Sequence, residues 1–215
     1  MTADTKRPSA WHVTSRLAAL RGEERANGLR LLGVAVFYAI EVLNYRGLAA
    51  GPLQIPHVAG VDARFHAMAT ALTVAWLSVV AIVALATKNR LFPPALRYFS
   101  SGADILLTGA VLTLADGPRS PVLALLFLII ALAGLRLDKR LVVFTTVGAI
   151  LAYGASLLEV ATLRTELAVP AHWQITTTAA LALLGLVVWQ TLEQARRAVE
   201  AYAALERSDG GEEAE

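Results

Sequence analysis

The chain has 215 residues, 56% of them hydrophobic, with no cysteine and a formal net charge of +2. The absence of cysteine excludes disulfides, thiolate metal sites and cysteine nucleophiles. The small net charge calls for no nucleic-acid partner, because the inner leaflet of a membrane accounts for a modest basic excess.

Six apolar runs alternate with short loops along the chain, at 29–45, 66–87, 96–115, 121–137, 141–161 and 174–192. Each run is close to the roughly 20 residues that a helix needs to cross a bilayer, where backbone polar groups must be satisfied within the segment. The sequence therefore predicts an all-α, polytopic membrane protein with six transmembrane helices. Its expected divisions are a basic tail at 1–28, a membrane domain at 29–192 and a C-terminal helix with an acidic tail at 193–215.

Lysine and arginine concentrate on alternate segments. Arg30, Arg97 and Arg136 lie near the ends of apolar runs and are counted with the adjoining tail or loop. From the N-terminal tail through the five loops to the C-terminal segment, the counts are then six, two, three, one, three, one and three. Every odd segment is richer than its neighbours, so the positive-inside rule places both termini in the cytoplasm.

The basic tail contains a short amphipathic pattern. Trp11, Leu17 and Leu20 are its apolar anchors, and Arg16 and Arg21 are its basic groups. This pattern is typical of a helix at the headgroup interface, although a plain helical lead-in to the first span fits it too. The first apolar run lacks a small-residue cleavage site, so we interpret it as a retained span.

Two positions mark helix starts. In the longest loop, 46–65, several glycines and prolines predict turns, and Asp62 is a good N-cap for the second helix. Pro121 stands close to the expected first position of the fourth helix, where proline is favoured.

The third span carries an acidic residue. Asp104 shares one helical stripe with Ser100, Ser101 and Thr108. Ionisable groups inside a membrane usually face the bundle interior and often mark function. We therefore predict that Asp104, Ser101 and Thr108 face protein and belong to a ligand or coupling site.

Further polar candidates lie in the first and fifth spans. Glu41 is in the outer half of the first span, and in the fifth a face of small and polar residues ends in an acid. That face contains Thr145, Ala149, Ala152, Ser156 and Glu159. Such faces usually serve close helix packing, and a ligand or proton site at Glu41, Ser156 and Glu159 is the functional alternative.

Three histidines fall on the predicted external side, namely His57, His66 and His172. With Glu159 or Asp62 as an oxygen ligand they would suit a divalent metal, although their spacing matches no compact zinc motif and scattered surface histidines are commoner. The sequence contains no Walker loop and no His-Glu-x-x-His motif, so we predict no enzymatic activity and no other cofactor.

The last apolar run continues into a polar helix over 189–206. Leu192, Ala195, Val199 and Tyr202 follow the a/d spacing of a coiled coil, which predicts a parallel homodimer. Fewer than two heptads are present, so a solvated helix end remains an alternative.

Two stretches carry a resemblance to a known class of proteins. They are YFSSGADILLT at 98–108 and ADGPRSP at 115–121. The region 96–160 resembles the N-terminal membrane modules of bacterial sensor histidine kinases and related signalling proteins, including some adenylyl cyclases and membrane-anchored kinases. The resemblance implies sensing or anchoring and transfers no catalytic residues. We also expect a bacterial cytoplasmic membrane and a cytoplasmic signalling partner. Those families carry an output domain after the last span, so this chain would be a stand-alone module or a piece of a longer product.

The leading hypothesis is thus a sensory or regulatory module that relays a signal through the last span into the following helix. A small transporter or channel lined by Asp104, Glu41 and Glu159 is the alternative, and a membrane anchor is the third. A water-accessible cavity reaching Asp104 would favour transport. A dry bundle with a dimeric C-terminal helix would favour signalling.

Overall fold

The structure is a computed structural model that describes the backbone of residues 10–50, 53–55, 61–89 and 94–212, and the side chains of 21–48, 61–89 and 95–205. Within these ranges the regular secondary structure is α-helical apart from one short ribbon and three 3-10 turns. The helices are α1 (Ala10–Arg46), α2 (Ala63–Lys88), α3 (Pro94–Leu114), α4 (Ala124–Gly134), α5 (Lys139–Leu163) and α6 (Ala171–Glu212).

Four of the helices are long and apolar enough to cross a membrane, within Arg21–Arg46, Ala63–Lys88, Lys139–Leu163 and Ala171–Leu205. This confirms a helical protein with membrane-length spans. The α4 helix has 11 residues, so it rises only about 16 Å, roughly half the thickness of the hydrocarbon core. The count of six crossings therefore remains a prediction.

The loop after α1 contains a ribbon that the sequence analysis did not predict. Strand β1 (Leu48–Ala50) pairs antiparallel with β2 (Leu53–Ile55), with Leu48 opposite Ile55. Strands of three residues are too short to show a readable alternation, so only the turn formers around them gave a signal. Gly47 ends α1 with a φ of 69°, a conformation that glycine adopts without strain.

The predicted cap of α2 is confirmed. The Asp62 carboxylate accepts a hydrogen bond of 2.7 Å from the Phe65 backbone nitrogen. Pro121 instead opens a 3-10 turn at Pro121–Leu123, and α4 begins at Ala124. The Ser120 hydroxyl caps that turn by accepting from the Val122 nitrogen. The apolar run at 121–137 is therefore only partly α-helical.

The small-residue face of α5 packs against α3. A Cβ added to Gly148 would come within 2.5 Å of Ile105, and one added to Gly109 within 4.0 Å of Ala152. Thr145 lies in the same seam and is fully buried. Small side chains allow these two helices to approach closely, as is usual in membrane bundles.

The outer surface of the bundle is strongly apolar. Large hydrophobic side chains from α3, α5 and α6 are mostly exposed, including Leu106, Leu151, Leu158 and Ile175. An apolar surface of this kind is stable against lipid chains rather than water. The finding supports the membrane location that helix length indicates.

Two helices are much longer than the others. The α6 helix has 42 residues, about 63 Å, which is twice the thickness of the hydrocarbon core. The α1 helix runs unbroken from Ala10 to Arg46, so the basic tail and the first apolar run share one axis. The side chains of the predicted amphipathic pattern, Trp11 to Leu20, lie outside the described residues.

Candidate functional site: a cavity above buried ion pairs

One face of α1 carries three polar residues into the bundle. Glu23, Asn27 and Arg30 follow a spacing of four and three, which puts them on a single helical stripe. All three are buried. They meet α2, α3 and the turn between α4 and α5.

Asp104 is held by arginine and tryptophan. Arg30 donates through Nε to Asp104 Oδ1 at 2.7 Å and through Nη2 to Oδ2 at 2.7 Å. The indole Nε1 of Trp76 donates to Oδ1 at 2.9 Å. Arg30 Nη1 also donates to Asn27 Oδ1, and Asn27 Nδ2 donates to the carbonyl of Val80. Asp104 thus faces the protein interior, as predicted, and links α1, α2 and α3.

A second buried ion pair lies beside Ser100 and Ser101, one turn before Asp104 on α3. Arg136, in the turn between α4 and α5, is 2.7 Å through Nε from Glu23 Oε2. Its Nη2 donates to Glu23 Oε1 at 2.9 Å and to Ser100 Oγ at 3.2 Å, and its Nη1 donates to Ser101 Oγ. The side chains of Arg136 and Glu23 are 2% and 0% exposed. This pair joins α1 and α3 to the α4–α5 turn.

These two pairs form one polar layer, which we call the ion-pair network: Glu23, Asn27, Arg30, Trp76, Ser100, Ser101, Asp104 and Arg136. Buried charges are tolerated only when paired and hydrogen-bonded, and here every charge has both. Removing one charge of either pair leaves its partner buried and unpaired, so the network fixes the relative positions of its helices.

A cavity of about 640 Å³ opens on the other side of this network. Arg30, Asp104 and Trp76 form its floor, and most of its wall is apolar side chains from α1, α2, α3 and α4. Leu29 and Ile40 of α1 border the cavity and are also 43% and 47% exposed on the surface. Leu128 of α4 borders it too and is exposed. The cavity therefore opens sideways between α1 and α4, where lipid chains would lie.

The far end of the cavity is polar. Glu41 lines this end, and its Oε1 lies 2.9 Å from His66 Nδ1. The Glu41 side chain is 12% exposed and the His66 side chain 24% exposed. The His66 ring stacks on Tyr45 with centroids 4.3 Å apart. Glu41 thus belongs to a hydrogen-bonded pair at this polar end of the cavity, which links α1 to α2.

The remaining predicted acid, Glu159, lies apart from Asp104. It pairs with Arg164, whose Nε is 2.8 Å from Glu159 Oε1. Arg164 also donates to the carbonyl of Ala115 at 2.9 Å and lines the cavity mouth. Glu159 therefore holds the start of the α5–α6 connection against the end of α3.

Two predicted hydroxyl residues are buried without a role in either ion pair. Thr108 is fully buried, and Ser156 is 1% exposed. Among the described residues neither hydroxyl has a hydrogen-bond partner. Ser101, by contrast, belongs to the ion-pair network through Arg136.

The predicted metal site does not form among the described residues, which contain no group of three or more histidine and acidic side chains suited to a metal ion. His66 is engaged with Glu41, and His172 is exposed at the start of α6. His57 lies outside the described residues.

The predicted dimer positions differ in their surroundings. Leu192 is buried within the protomer, beside Ala133 and Leu141. Ala195 and Tyr202 are exposed, and Val199 is partly buried. Because Leu192 is already packed in the bundle, a helix dimer would use only Ala195 and the positions after it.

Sequence reasoning missed five members of the network: Glu23, Asn27, Arg30, Trp76 and Arg136. Arg30 and Arg136 were counted as topology signals, which assumes that a basic residue near a span faces water. The spacing of Glu23, Asn27 and Arg30 on one stripe was a readable signal for a buried polar face on α1. No comparable pattern marks Arg136, whose burial depends on the tertiary packing of its turn.

Searches of protein-family models, curated proteins and solved structures found no match to this chain.

Proposed function

We propose that the protein is a membrane-embedded sensory or regulatory module. An apolar ligand from the bilayer occupies the cavity, and its presence is relayed through the ion-pair network to the extended part of α6. The observation that carries this proposal is the continuous set of contacts from the cavity floor to α6.

The first half of that connection is polar. Asp104 on the cavity floor and Ser100 and Ser101 lie on the same helix, one turn apart. Both serines accept hydrogen bonds from Arg136. A displacement of α3 at the floor therefore acts directly on the α4–α5 turn.

The second half connects the turn to α6. A Cβ added to Gly134 would come within 2.8 Å of Val188, so α4 touches α6 closely at the turn. Lys139, the first residue of α5, forms an ion pair with Glu193 and lies over the Trp189 ring at 5.0 Å. Movement of the turn is thus passed to the point where α6 leaves the bundle.

The ligand is expected to be apolar along most of its length. The polar groups on the cavity floor are already paired with one another, so they offer little to a charged ligand. A volume of about 640 Å³ falls in the ordinary range of small-molecule sites. A ligand shifts the equilibrium only by its difference in affinity for two packings, and filling an open cavity supplies such a difference.

Cavity occupancy can be measured at Trp76. A variant retaining only this tryptophan, with the other three replaced by phenylalanine, reports on the cavity floor. Reconstituted in nanodiscs, it is titrated with a bromine-labelled long-chain alcohol, and quenching of Trp76 fluorescence is followed. We expect saturable quenching, because the probe reaches the floor through the side opening.

Glycine positions on α1 provide matched variants. A Cβ at Gly33, which lines the cavity, or at Gly28, which does not, meets no atom within 4 Å. Gly33→Leu should fill the cavity and abolish saturable quenching, whereas Gly28→Leu should retain it. Equal quenching in both variants, or none in the parent, would refute a ligand site in this cavity.

The same proposal includes the topology. We include six crossings with both termini in the cytoplasm of a bacterial cell, which the charge count supports. We also include a parallel dimer at Ala195, Val199 and Tyr202 and a cytoplasmic partner for the α6 extension, which the continuity of α6 supports. Because the chain has no native cysteine, single cysteines at Glu166 and Arg140 test the orientation. An impermeant thiol reagent should label intact cells at Glu166 and not at Arg140, and the reverse would overturn the topology.

Transport remains a second candidate because the cavity reaches Asp104. In that case the Arg30–Asp104 pair is the gate, and its opening would let a solute pass the network. Proteoliposomes carrying the protein should then show a solute or proton leak that Asp104→Asn changes. The sensory proposal predicts no leak in either form.

A further inference from the structure

A second recess lies at the opposite, basic end of the bundle. It has a volume of about 710 Å³ and is formed by the start of the described part of α1, the α4–α5 turn and α6. We call it the basic groove and define it by Arg21, Arg25, Leu135, Thr191, Leu192 and Ala195. It is separated from the cavity by the ion-pair network.

Two arginines lie at its edge with no partner among the described side chains. Arg21 and Arg25 are one helical turn apart and exposed. Among the described side chains neither guanidinium has an ion pair or a hydrogen-bond acceptor, whereas Arg30, Arg136, Arg164 and Arg196 all do. The groove therefore presents two uncompensated positive charges on one stripe.

The rest of the groove is mainly apolar. Leu135 and Leu137 of the turn line it together with Val188 and Leu192 of α6. The Thr191 hydroxyl, the other polar side chain in the groove, already donates to the carbonyl of Val187 at 2.9 Å. An occupant thus meets a charged edge and an apolar interior.

The groove also lies at the level where the helices change character. On α6 the apolar run gives way at Glu193 to a charged sequence, and on α1 the charged residues of 21–25 precede the apolar run that begins at residue 29. This is the depth of the lipid headgroups if the bundle spans the membrane. Basic pockets between membrane helices at this level bind acidic lipid headgroups.

We propose that the basic groove binds an acidic phospholipid. The lipid phosphate is bound by Arg21 and Arg25, and an acyl chain lies against Leu135 and Leu192. The lipid would contact both the Arg136 turn and α6, so it would stabilise their association. This site is independent of the ligand cavity and holds whether or not the cavity proposal is correct.

The test is native mass spectrometry of the full chain released from nanodiscs that contain phosphatidylglycerol and phosphatidylcholine with the same acyl chains. We expect preferential retention of phosphatidylglycerol, by about fivefold for each arginine. Arg21→Gln/Arg25→Gln should lose this preference. Lys88→Gln/Arg140→Gln removes two exposed basic side chains that do not line the groove, and it should keep the preference.

Two further arms separate the lipid from its parts. Ala195→Trp fills the groove without changing charge and should also reduce retention of phosphatidylglycerol. Inorganic phosphate at equal concentration should not displace the bound lipid. Any of three results would overturn the proposal. These are equal retention of both lipids by the parent protein, unchanged retention of phosphatidylglycerol in the double arginine variant or in Ala195→Trp, and full displacement of the lipid by phosphate.

Discussion

The ion-pair network and the cavity beside it use the interior of the bundle in opposite ways. In the network, buried charges from α1, α3 and the α4–α5 turn fill the space and pair with one another. Next to it, side chains of α1, α2, α3 and α4 leave about 640 Å³ open. Asp104 lies on the boundary, since it is paired on one side and forms the cavity floor on the other.

This difference separates a rigid region from an adaptable one. A fully paired network in a low-dielectric interior resists rearrangement, because any displacement leaves a charge uncompensated. An open, apolar cavity permits side chains and helices to shift at low energetic cost. A module that converts ligand binding into helix movement needs both regions in contact, and Asp104 provides that contact.

The largest effect is expected from breaking the deeper ion pair. Glu23→Leu leaves Arg136 buried and unpaired, which should lower the free energy of unfolding by about 3–5 kcal/mol. Urea unfolding in detergent micelles measures the change. The double variant Glu23→Leu/Arg136→Met removes both charges and should recover most of the loss. A double variant as unstable as the single one would show that the charge pairing is not the cause.

A smaller loss is expected at the boundary. Trp76→Phe removes the indole donor to Asp104 and keeps most of the apolar packing near Val34 and Leu125. Loss of a hydrogen bond to a charged group should reduce stability by about 1.5–3 kcal/mol. Trp173→Phe, at a side chain that is 54% exposed near the start of α6, is the control and should change stability much less. Equal losses in both would mean that Asp104 does not depend on Trp76.

Helix packing outside both regions provides the next comparison. Gly148→Ala forces a Cβ to within 2.5 Å of Ile105 at the α3–α5 seam, which should cost about 1–3 kcal/mol. Gly154→Ala lies on the same helix where a Cβ meets no atom within 4 Å, so it should be neutral or stabilising. Thermal unfolding of the two variants is measured in parallel. A Gly148→Ala variant as stable as the parent would contradict close packing of α3 against α5 at this position.

The cavity itself should accept added volume. Gly33→Leu replaces a helical glycine and projects into open space, so stability should rise by about 0.5–1 kcal/mol through helix propensity. The unfolding midpoint in detergent gives the result. A marked loss of stability would mean that the cavity is closed in solution.

The smallest effect is expected at the cavity mouth. Glu41→Gln breaks the pair with His66, which is partly exposed, and such pairs contribute less than about 1 kcal/mol. Stability should therefore change little at neutral pH. A loss comparable with that of Glu23→Leu would show that the mouth is as rigid as the network.

The architecture was predictable where local signals agree with the fold. Asp62 caps α2 because the side chain and the helix start are neighbours in sequence, and helix location follows from apolar runs. The burial of Asp104 was predictable from the cost of a charge inside a span. Its partner Arg30 was not predictable, because Arg30, like Arg136, is a basic residue near a span end and was interpreted as facing water.

Other features depend on tertiary packing that no local pattern encodes. Leu192 continues the heptad spacing of the α6 extension, yet it is buried against Ala133 and Leu141. The cavity depends on how α1, α2, α3 and α4 pack together, and the short α4 helix follows from a 3-10 turn at Pro121. Helix spacing alone shows which residues share a face and not what that face meets.

The relay from cavity to α6 can be tested by distance measurement between spin labels. One label is placed at Arg140, at the start of α5, and the other at Tyr202, which is 75% exposed on the α6 extension. Their separation is measured in nanodiscs by double electron–electron resonance, with the labelled protein diluted by unlabelled protein. Gly33→Leu serves as a permanent cavity occupant and Gly28→Leu as its control. The account predicts a shifted distance distribution in Gly33→Leu alone. Identical distributions in the parent and both variants would contradict it.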